Sequence, residues 1–277
     1  MRILTGFLFF FLLQGMLAYA QTTGSIDPVK EDILKARTKQ VTQFIRRFNG
    51  EEGPEGNPYD RNDSRYHNPR QRMKFMPYLF DKQTSNYPVE LRKKFQQDVV
   101  LDETPQFLDF REDGWFAEVN ASFSYKGEKT DALLFLELEK EAKGYKWVLA
   151  NVYFSPFHRK FANDTSARGI FLHPMSHEVD FMNLKEVFAK PEAIEHYAAA
   201  GYQPDFLTLF FYELKKENLH FRHVKQVKFH FLQAKGWYFE LSYIERKGRN
   251  AGWLITNLLE VSEKQKKDLK ALIQLKQ

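Results

Sequence analysis

Two copies of a short aromatic stretch decide how this chain folds. The first reads Gly-Trp-Phe-Ala-Glu-Val at residues 114–119, and the second reads Gly-Trp-Tyr-Phe-Glu-Leu at residues 236–241. Each copy is followed by a partner, Trp-Val-Leu-Ala-Asn-Val at residues 147–152 and Trp-Leu-Ile-Thr-Asn-Leu at residues 253–258. Self-similarity of this kind is typical of a duplicated supersecondary unit. We therefore predict an α+β protein built from two diverged repeats.

Alternation along the predicted strands assigns the side chains to two faces of a sheet. Trp115 points to one face, while Phe116 and Glu118 point to the other. The same alternation places both repeated asparagines on the tryptophan face. The residues that define the repeat are structural: Trp115, Trp147, Asn151, Trp237, Trp253 and Asn257.

Each half is predicted to combine helices with an antiparallel meander. Val41, Phe44 and Phe48 have helical spacing and lead into Asn49-Gly50, which is a typical helix end. A further helix is expected at residues 89–97, and a capping box at Ser262 begins the last helix. The strands are predicted at residues 106–110, 115–125, 132–140 and 147–154 in the first half and at 227–233, 237–246 and 253–261 in the second.

The first twenty residues have the pattern of a secretory signal peptide. Met1-Arg2 supplies a positive charge, residues 3–17 are almost wholly apolar, and Ala18-Tyr19-Ala20 is a small-x-small cleavage site. A retained membrane anchor is the alternative, but the apolar core is too short for a confident span. We expect export to the periplasm or the extracellular space without a retained membrane span. The predicted segments are a signal peptide at 1–20, a first α+β repeat at 21–165, and a second repeat with a C-terminal helix at 166–277.

Composition excludes several classes of chemistry. The chain has no cysteine, which rules out disulfides, thiol catalysis and thiolate metal sites. The net charge of +5 is small for 277 residues, and lysines alternate with glutamates, so a nucleic-acid partner is not expected. Residues 220–231 mix basic and aromatic side chains, which could suit an acidic glycan or a nucleic acid. The mixed surface charge favours an ordinary strand there, with Val227 and Phe229 inward and Lys228 and His230 outward.

The order of helices followed by a meander resembles the nuclear transport factor 2-like, or ketosteroid isomerase-like, superfamily. This resemblance implies a cone-shaped sheet around a cavity in each half. More narrowly, residues 44–50, residues 171–181 and the two Gly-Trp motifs look like uncharacterised secreted proteins of Bacteroides-type bacteria. That resemblance spans most of the chain after residue 20 and implies export, but it brings no activity with it.

The candidates for catalysis or metal binding are two glutamates and one segment that contains both histidines and acidic residues. Glu118 and Glu240 recur in the repeat, and one of them could act as a general base in a cone cavity. If the tryptophan face is the core, however, both are solvated or paired across strands. His177 and Asp180 lie in the other segment, beside His173 and Glu178. Helix capping is favoured there over metal binding, because Pro174 interrupts the helical spacing and Phe181 replaces the second histidine of a zinc-protease motif.

The functional prediction is a binding protein of unknown ligand. The sequence contains no nucleophile elbow, Walker loop or dinucleotide glycine fingerprint. We therefore predict an exported, non-enzymatic module for a protein, glycan or small-molecule partner, with no cofactor and no metal. The alternative is a small-molecule isomerase or dehydratase with an acidic or histidine base. A third hypothesis is an assembly component that pairs through exposed aromatic strands.

Overall fold

The computed structural model describes residues 40–275, apart from 54, 84–86, 162–171, 173, 174, 176–183, 190, 200, 248 and 249. The described α-helices are α1 (Val41–Asn49), α2 (Pro69–Phe75), α3 (Val89–Val100), α4 (Ser155–Lys160), α5 (Leu184–Ala189), α6 (Phe206–Lys215) and α7 (Glu263–Leu275). The described strands are β1 (Trp115–Tyr125), β2 (Glu128–Glu141), β3 (Gly144–Phe154), β4 (Leu219–Phe231), β5 (Trp237–Ile244) and β6 (Gly252–Glu260). Short 3-10 helices span Met76–Leu79 and Pro191–Tyr197.

The six strands form one antiparallel sheet in the order β3-β2-β1-β4-β5-β6. The meander of the first half and the meander of the second half meet where β1 pairs with β4, from Trp115 opposite Phe231 to Tyr125 opposite Leu219. The protein is therefore α+β, as predicted. Strand pairing therefore continues from one half of the sequence into the other.

Helices α1 and α3 of the first half pack on strands of the second half. Phe48 of α1 stacks on Phe239 of β5 with ring centroids 6.0 Å apart. Phe95 of α3 meets Trp237 of β5 edge-on at 5.2 Å. These residues belong to a fully buried cluster that also includes Trp115 at the start of β1. The largest core of the protein is thus shared between sequence segments that lie far apart.

The reverse packing occurs at the other end of the sheet. Phe210 of α6 contacts Phe154 of β3 and Phe123 of β1, at centroid distances of 5.9 and 5.4 Å. A helix of the second half therefore covers strands of the first. The predicted domain boundary at residue 165 stays a prediction, because it falls in a segment, residues 162–171, that the structure does not describe. Helices from each side of this boundary pack on strands from the other side.

The predicted end of α1 and the predicted start of α7 are both confirmed. Gly50 has φ 73° and donates its backbone N–H to the carbonyls of Arg46 and Arg47, a left-handed C-cap. At the start of α7, the Gln265 N–H donates to Ser262 Oγ at 3.3 Å, while Gln265 Oε1 accepts from the Ser262 N–H at 2.8 Å. This reciprocal pair is the predicted capping box.

The strand predicted at residues 106–110 is wrong. Side chains bind the backbone of this segment in place of a neighbouring strand. Asn49 accepts from the Leu108 N–H and donates to the Leu108 carbonyl, both at 2.8 Å. The buried Arg72 donates through Nη2 to the Gln106 carbonyl at 2.7 Å. Because these groups are already satisfied, the segment runs as a loop.

Beta-bulges correct two further predictions. Strand β4 begins at Leu219 rather than at residue 227, because register shifts near Arg222 and Lys225 break the alternation that marks a strand. Asn151 and Asn257 lie on the face opposite the tryptophans. Their strands each carry an extra residue, Ala150 and Thr256, directly before the asparagine. One extra residue moves every later side chain to the other face.

The two predicted repeats are not confirmed. The Trp-Asn copies match, since they lie on the two edge strands β3 and β6 and share both the bulge and a bond from the next backbone N–H to the asparagine Oδ1, at 2.8 and 2.9 Å. The Gly-Trp copies lie on β1 and β5, which do not hold equivalent places in the strand order. They share a glycine of positive φ, 93° at Gly114 and 79° at Gly236, before the strand.

Truncating Phe95 tests whether the shared core holds both halves together. We expect Phe95→Ala to lower the free energy of unfolding by about 3–5 kcal/mol, because the side chain is fully buried among other rings. Urea unfolding followed by tryptophan fluorescence and by circular dichroism should show one shifted transition.

The matched control is Leu101→Ala at the end of the same helix, where the side chain is exposed. It should change stability by less than about 0.5 kcal/mol. Two separate transitions, of which Phe95→Ala shifts only one, would contradict a core shared by the whole sheet.

Candidate functional site

All four tryptophans lie on one face of the sheet, although they differ in burial. Trp115 and Trp237 are buried in the shared core, whereas Trp147 is 38% exposed and Trp253 is half-buried. Ring contacts connect three of them through Phe229 of β4. The centroid distances are 5.2 Å from Trp115 to Trp147, 6.4 Å from Trp147 to Phe229 and 4.8 Å from Phe229 to Trp253. An aromatic row thus crosses the sheet from β3 to β6.

Beside this row, the described residues leave part of the tryptophan face uncovered. A groove of about 480 Å³ opens there between the N-terminal end of α1 and strands β1 to β4. We call it the aromatic groove. Its lining residues are Gln40, Val41, Thr42, Phe110, Ala117, Val119, Leu136, Trp147, Val227 and Phe229.

A buried carboxylate holds the helix that forms one wall of the groove. Glu52 accepts from Arg46 Nε at 2.9 Å, from Arg47 Nε at 3.0 Å and from Gln43 Nε2 at 2.7 Å. All three donors are on α1. Burial lowers the pKa of Arg47, and the adjacent Glu52 opposes that change. These bonds fix the orientation of α1, and with it the position of Val41 and Thr42 in the wall.

The chemistry of the aromatic groove is that of a binding surface. Eight of its lining side chains are apolar, and its polar lining side chains, Gln40 and Thr42, lie together at the start of α1. Neither group is ionisable. The described lining therefore offers apolar contact and one hydrogen-bonding edge, but no general base or nucleophile.

Glu118 and Glu240 lie on the opposite face of the sheet, as alternation predicts. Both are paired with a residue of β4. Glu118 Oε2 lies 3.2 Å from Nε2 of His230, an ion-pair distance outside hydrogen-bond geometry. Glu240 Oε1 lies 3.1 Å from Nζ of Lys228. Both carboxylates are paired across strands with side chains of β4, and the thickness of the sheet separates them from the aromatic groove.

We call the face opposite the tryptophans the polar face. On this face, sequence reasoning missed His230 and Tyr238. His230 was expected to point outward into solvent, yet it is buried, with its ring stacked on Phe116 at 4.7 Å. Its Nδ1 lies 2.8 Å from the Tyr238 hydroxyl. Burial raises the pKa of Tyr238, and the nearby Glu240 and Glu118 raise it further. The alternating aromatic residues Phe116 and Tyr238, which flank position 230 on neighbouring strands, were the available signal.

The remaining candidates could not be placed. His177 and Asp180, with His173 and Glu178, lie outside the described residues. Within the described ranges, no group of three or more histidines and acids could hold a metal ion.

Asp63 lies in the polar loop before α2, and its carboxylate binds Arg65. This hydrogen bond lowers the pKa of Asp63 to about 2. Among the described residues, no helix combines the length and the apolar character that crossing a membrane requires.

Comparison with known proteins adds no assignment. No family model matches the chain, and neither a curated protein nor a solved structure is significantly similar to it. The aromatic groove and the polar face are therefore the features from which a function can be inferred.

The Tyr238 phenol makes stability depend on alkaline pH. Its folded pKa is raised above the unfolded value of about 10, so the phenol stays protonated in the folded protein while the unfolded chain ionises. Stability from this group is complete below pH 10 and falls as pH rises through the folded pKa. From pH 8 to pH 11, wild-type protein should lose about 1.4 kcal/mol more than Tyr238→Phe in urea unfolding.

Tyr145→Phe provides the control for this comparison, because Tyr145 is exposed on β3. Its loss of stability over the same pH range should match that of the wild-type protein. If Tyr238→Phe and the wild-type protein lose stability in parallel, the hydroxyl is not held protonated by its surroundings.

Proposed function

We propose that this protein is a non-enzymatic binding module that takes a compact apolar ligand in the aromatic groove. The observation that carries the proposal is a groove of about 480 Å³ whose described walls are apolar and aromatic and carry no ionisable side chain. Ligand sites commonly have this size and this composition, with a few polar groups that fix orientation.

The groove also limits the kind of ligand. Trp147 and Phe229 offer ring faces and edges, which suit a planar or ring-containing group. Gln40 and Thr42 at one edge can satisfy a single polar group on the ligand. A charged ligand would lose its hydration without gaining a partner in the described walls. The expected ligand is therefore uncharged, with one hydrogen-bonding group at its end.

The expected affinity is moderate. Burial of about 250 Å² of apolar surface is worth about 6 kcal/mol. Part of this offsets the loss of translational and rotational freedom on binding. The surplus corresponds to dissociation constants from the micromolar to the millimolar range for a simple probe.

The alternative function, an isomerase or dehydratase, gains no support from the described groove. Its general base would have to reach the ligand, yet Glu118 and Glu240 occupy the opposite face and are paired with His230 and Lys228. The apolar lining favours retention of a ligand over proton transfer.

Four finer predictions belong to this proposal. The matched Trp-Asn bulges on β3 and β6 support a duplication. Helices followed by a three-stranded meander in each half support a distant likeness to the nuclear transport factor 2-like superfamily. Export, with function in the periplasm or outside the cell, rests on residues 1–20 and on the resemblance to secreted proteins of Bacteroides-type bacteria. The natural ligand is a small molecule, or an apolar group on a glycan or protein.

Charge placed in the groove tests the proposal. The probe is N-phenyl-1-naphthylamine, an uncharged two-ring fluorophore titrated against the mature chain. Val227→Glu should weaken binding by at least about tenfold, or about 1.4 kcal/mol, because the new carboxylate must be desolvated by the ligand. Trp147→Ala should also weaken binding, since it removes one wall.

Gln226→Glu is the matched control, because it adds the same charge one residue away on an exposed position of the polar face. It should bind the probe as the wild-type protein does. Urea midpoints for each variant separate lost binding from lost folding. Equal affinities of Val227→Glu and Gln226→Glu, or a wild-type protein that does not bind the probe, would exclude the groove as the site.

A further inference from the structure

Most of strand β4 has an open side in the described structure, although the strand lies in the middle of the sheet. Its pairing with β1 extends from Phe231 to Leu219. Its pairing with β5 covers only residues 228–231. On that side, the described part of the chain provides no neighbouring strand for residues 219–227. We call these residues the β4 edge.

The β4 edge is open to solvent. Residues 220–226 are all exposed, in contrast to the buried end of the strand at His230 and Phe231. Phe221 is 56% exposed and Val224 is 48% exposed. Both pair with apolar residues of β1, Phe123 and Ala121, so they lie on the tryptophan face. The edge thus combines unpaired strand backbone with accessible apolar side chains, a combination that favours addition of another strand.

The charge of the β4 edge is basic. The exposed basic residues are His220, Arg222, His223 and Lys225. One carboxylate of the described structure, Asp131 of β2, forms an ion pair with Lys225. The basic side chains outnumber this partner, so an incoming strand with acidic side chains would complement the edge.

The same charges argue against self-association. Two copies that paired through this edge would bring Arg222 and Lys225 of one chain against those of the other, and like charges on paired strands destabilise a sheet. A second copy is therefore a poor occupant, whereas an acidic segment of another protein meets no such repulsion.

We propose that the β4 edge is a docking site for an extended acidic segment of a partner protein, which adds to the sheet as a strand. Backbone hydrogen bonds supply affinity, acidic side chains meet Arg222 and Lys225, and apolar side chains cover Phe221 and Val224. This site adjoins the aromatic groove at Val227, but it does not depend on the ligand proposed for the groove.

Peptide titration by fluorescence anisotropy tests this proposal. The probes are labelled decapeptides of alternating Glu and Val, of alternating Lys and Val, and of alternating Glu and Val with every backbone nitrogen methylated. The Glu-Val peptide should bind at least about tenfold more tightly than the Lys-Val peptide because of charge complementarity. The N-methylated peptide should not bind, because it lacks the backbone N–H groups that strand addition requires.

Variants locate the site. Arg222→Glu/Lys225→Glu should lower the affinity for the Glu-Val peptide by at least about tenfold. Lys264→Glu/Lys267→Glu, which makes the same change on the exposed side of α7, should leave it unchanged. Trp147→Ala should also leave it unchanged, so failure of the groove and failure of the edge can be told apart. In the wild-type protein, the peptide should slow amide hydrogen exchange within residues 219–227.

Several results would overturn the proposal. Equal binding of the N-methylated and the unmodified Glu-Val peptides would show that the edge is an anion-attracting patch, open to a glycan or nucleic acid, and not a site for strand addition. A Glu-Val peptide that does not bind, or that binds without protecting residues 219–227, would exclude the edge as its docking site.

Discussion

The antiparallel pairing of β1 with β4 is the interaction on which the rest of the structure depends. It is the junction at which the two three-stranded meanders become one sheet. The packing of the helices depends on that junction. Helices α1 and α3 from the first half cover β5, while α6 from the second half covers β3. In this arrangement, α1, α3 and α6 bury aromatic side chains against strands of the other half. The aromatic groove also exists because of the junction, since its floor is made by β1 and β4 together.

Local patterns were sufficient to predict most elements. The spacing of Val41, Phe44 and Phe48, the glycine after α1 and the capping box before α7 depend only on neighbouring residues. Strand β1 was predicted with its observed bounds. Failures arose where a distant side chain or an extra residue intervened. Asn49 and Arg72 satisfy the backbone of residues 106–108 from elsewhere in the sequence, and no local pattern reveals such bonds.

Bulges explain why faces were harder to predict than strands. Alternation assigned Glu118 and Glu240 to the face opposite the tryptophans, because no extra residue separates them from Trp115 and Trp237. It misplaced Asn151 and Asn257, because one extra residue precedes each of them. The aromatic groove could not be predicted at all. Its existence depends on where the helices of each half end over strands of the other, and the sequence pattern describes each element separately.

The exchange of helices between the halves has a consequence for how the chain acquires its structure. Phe48 near the beginning of the described chain stacks on Phe239 near its end, so the contacts that bury α1 have a large sequence separation. Chains dominated by such contacts fold slowly, since long loops must close before burial compensates for the lost entropy. During synthesis, the aromatic face of α1 would remain exposed until β5 and β6 emerged. A chain built in this way depends on protection from aggregation until its last strands are available.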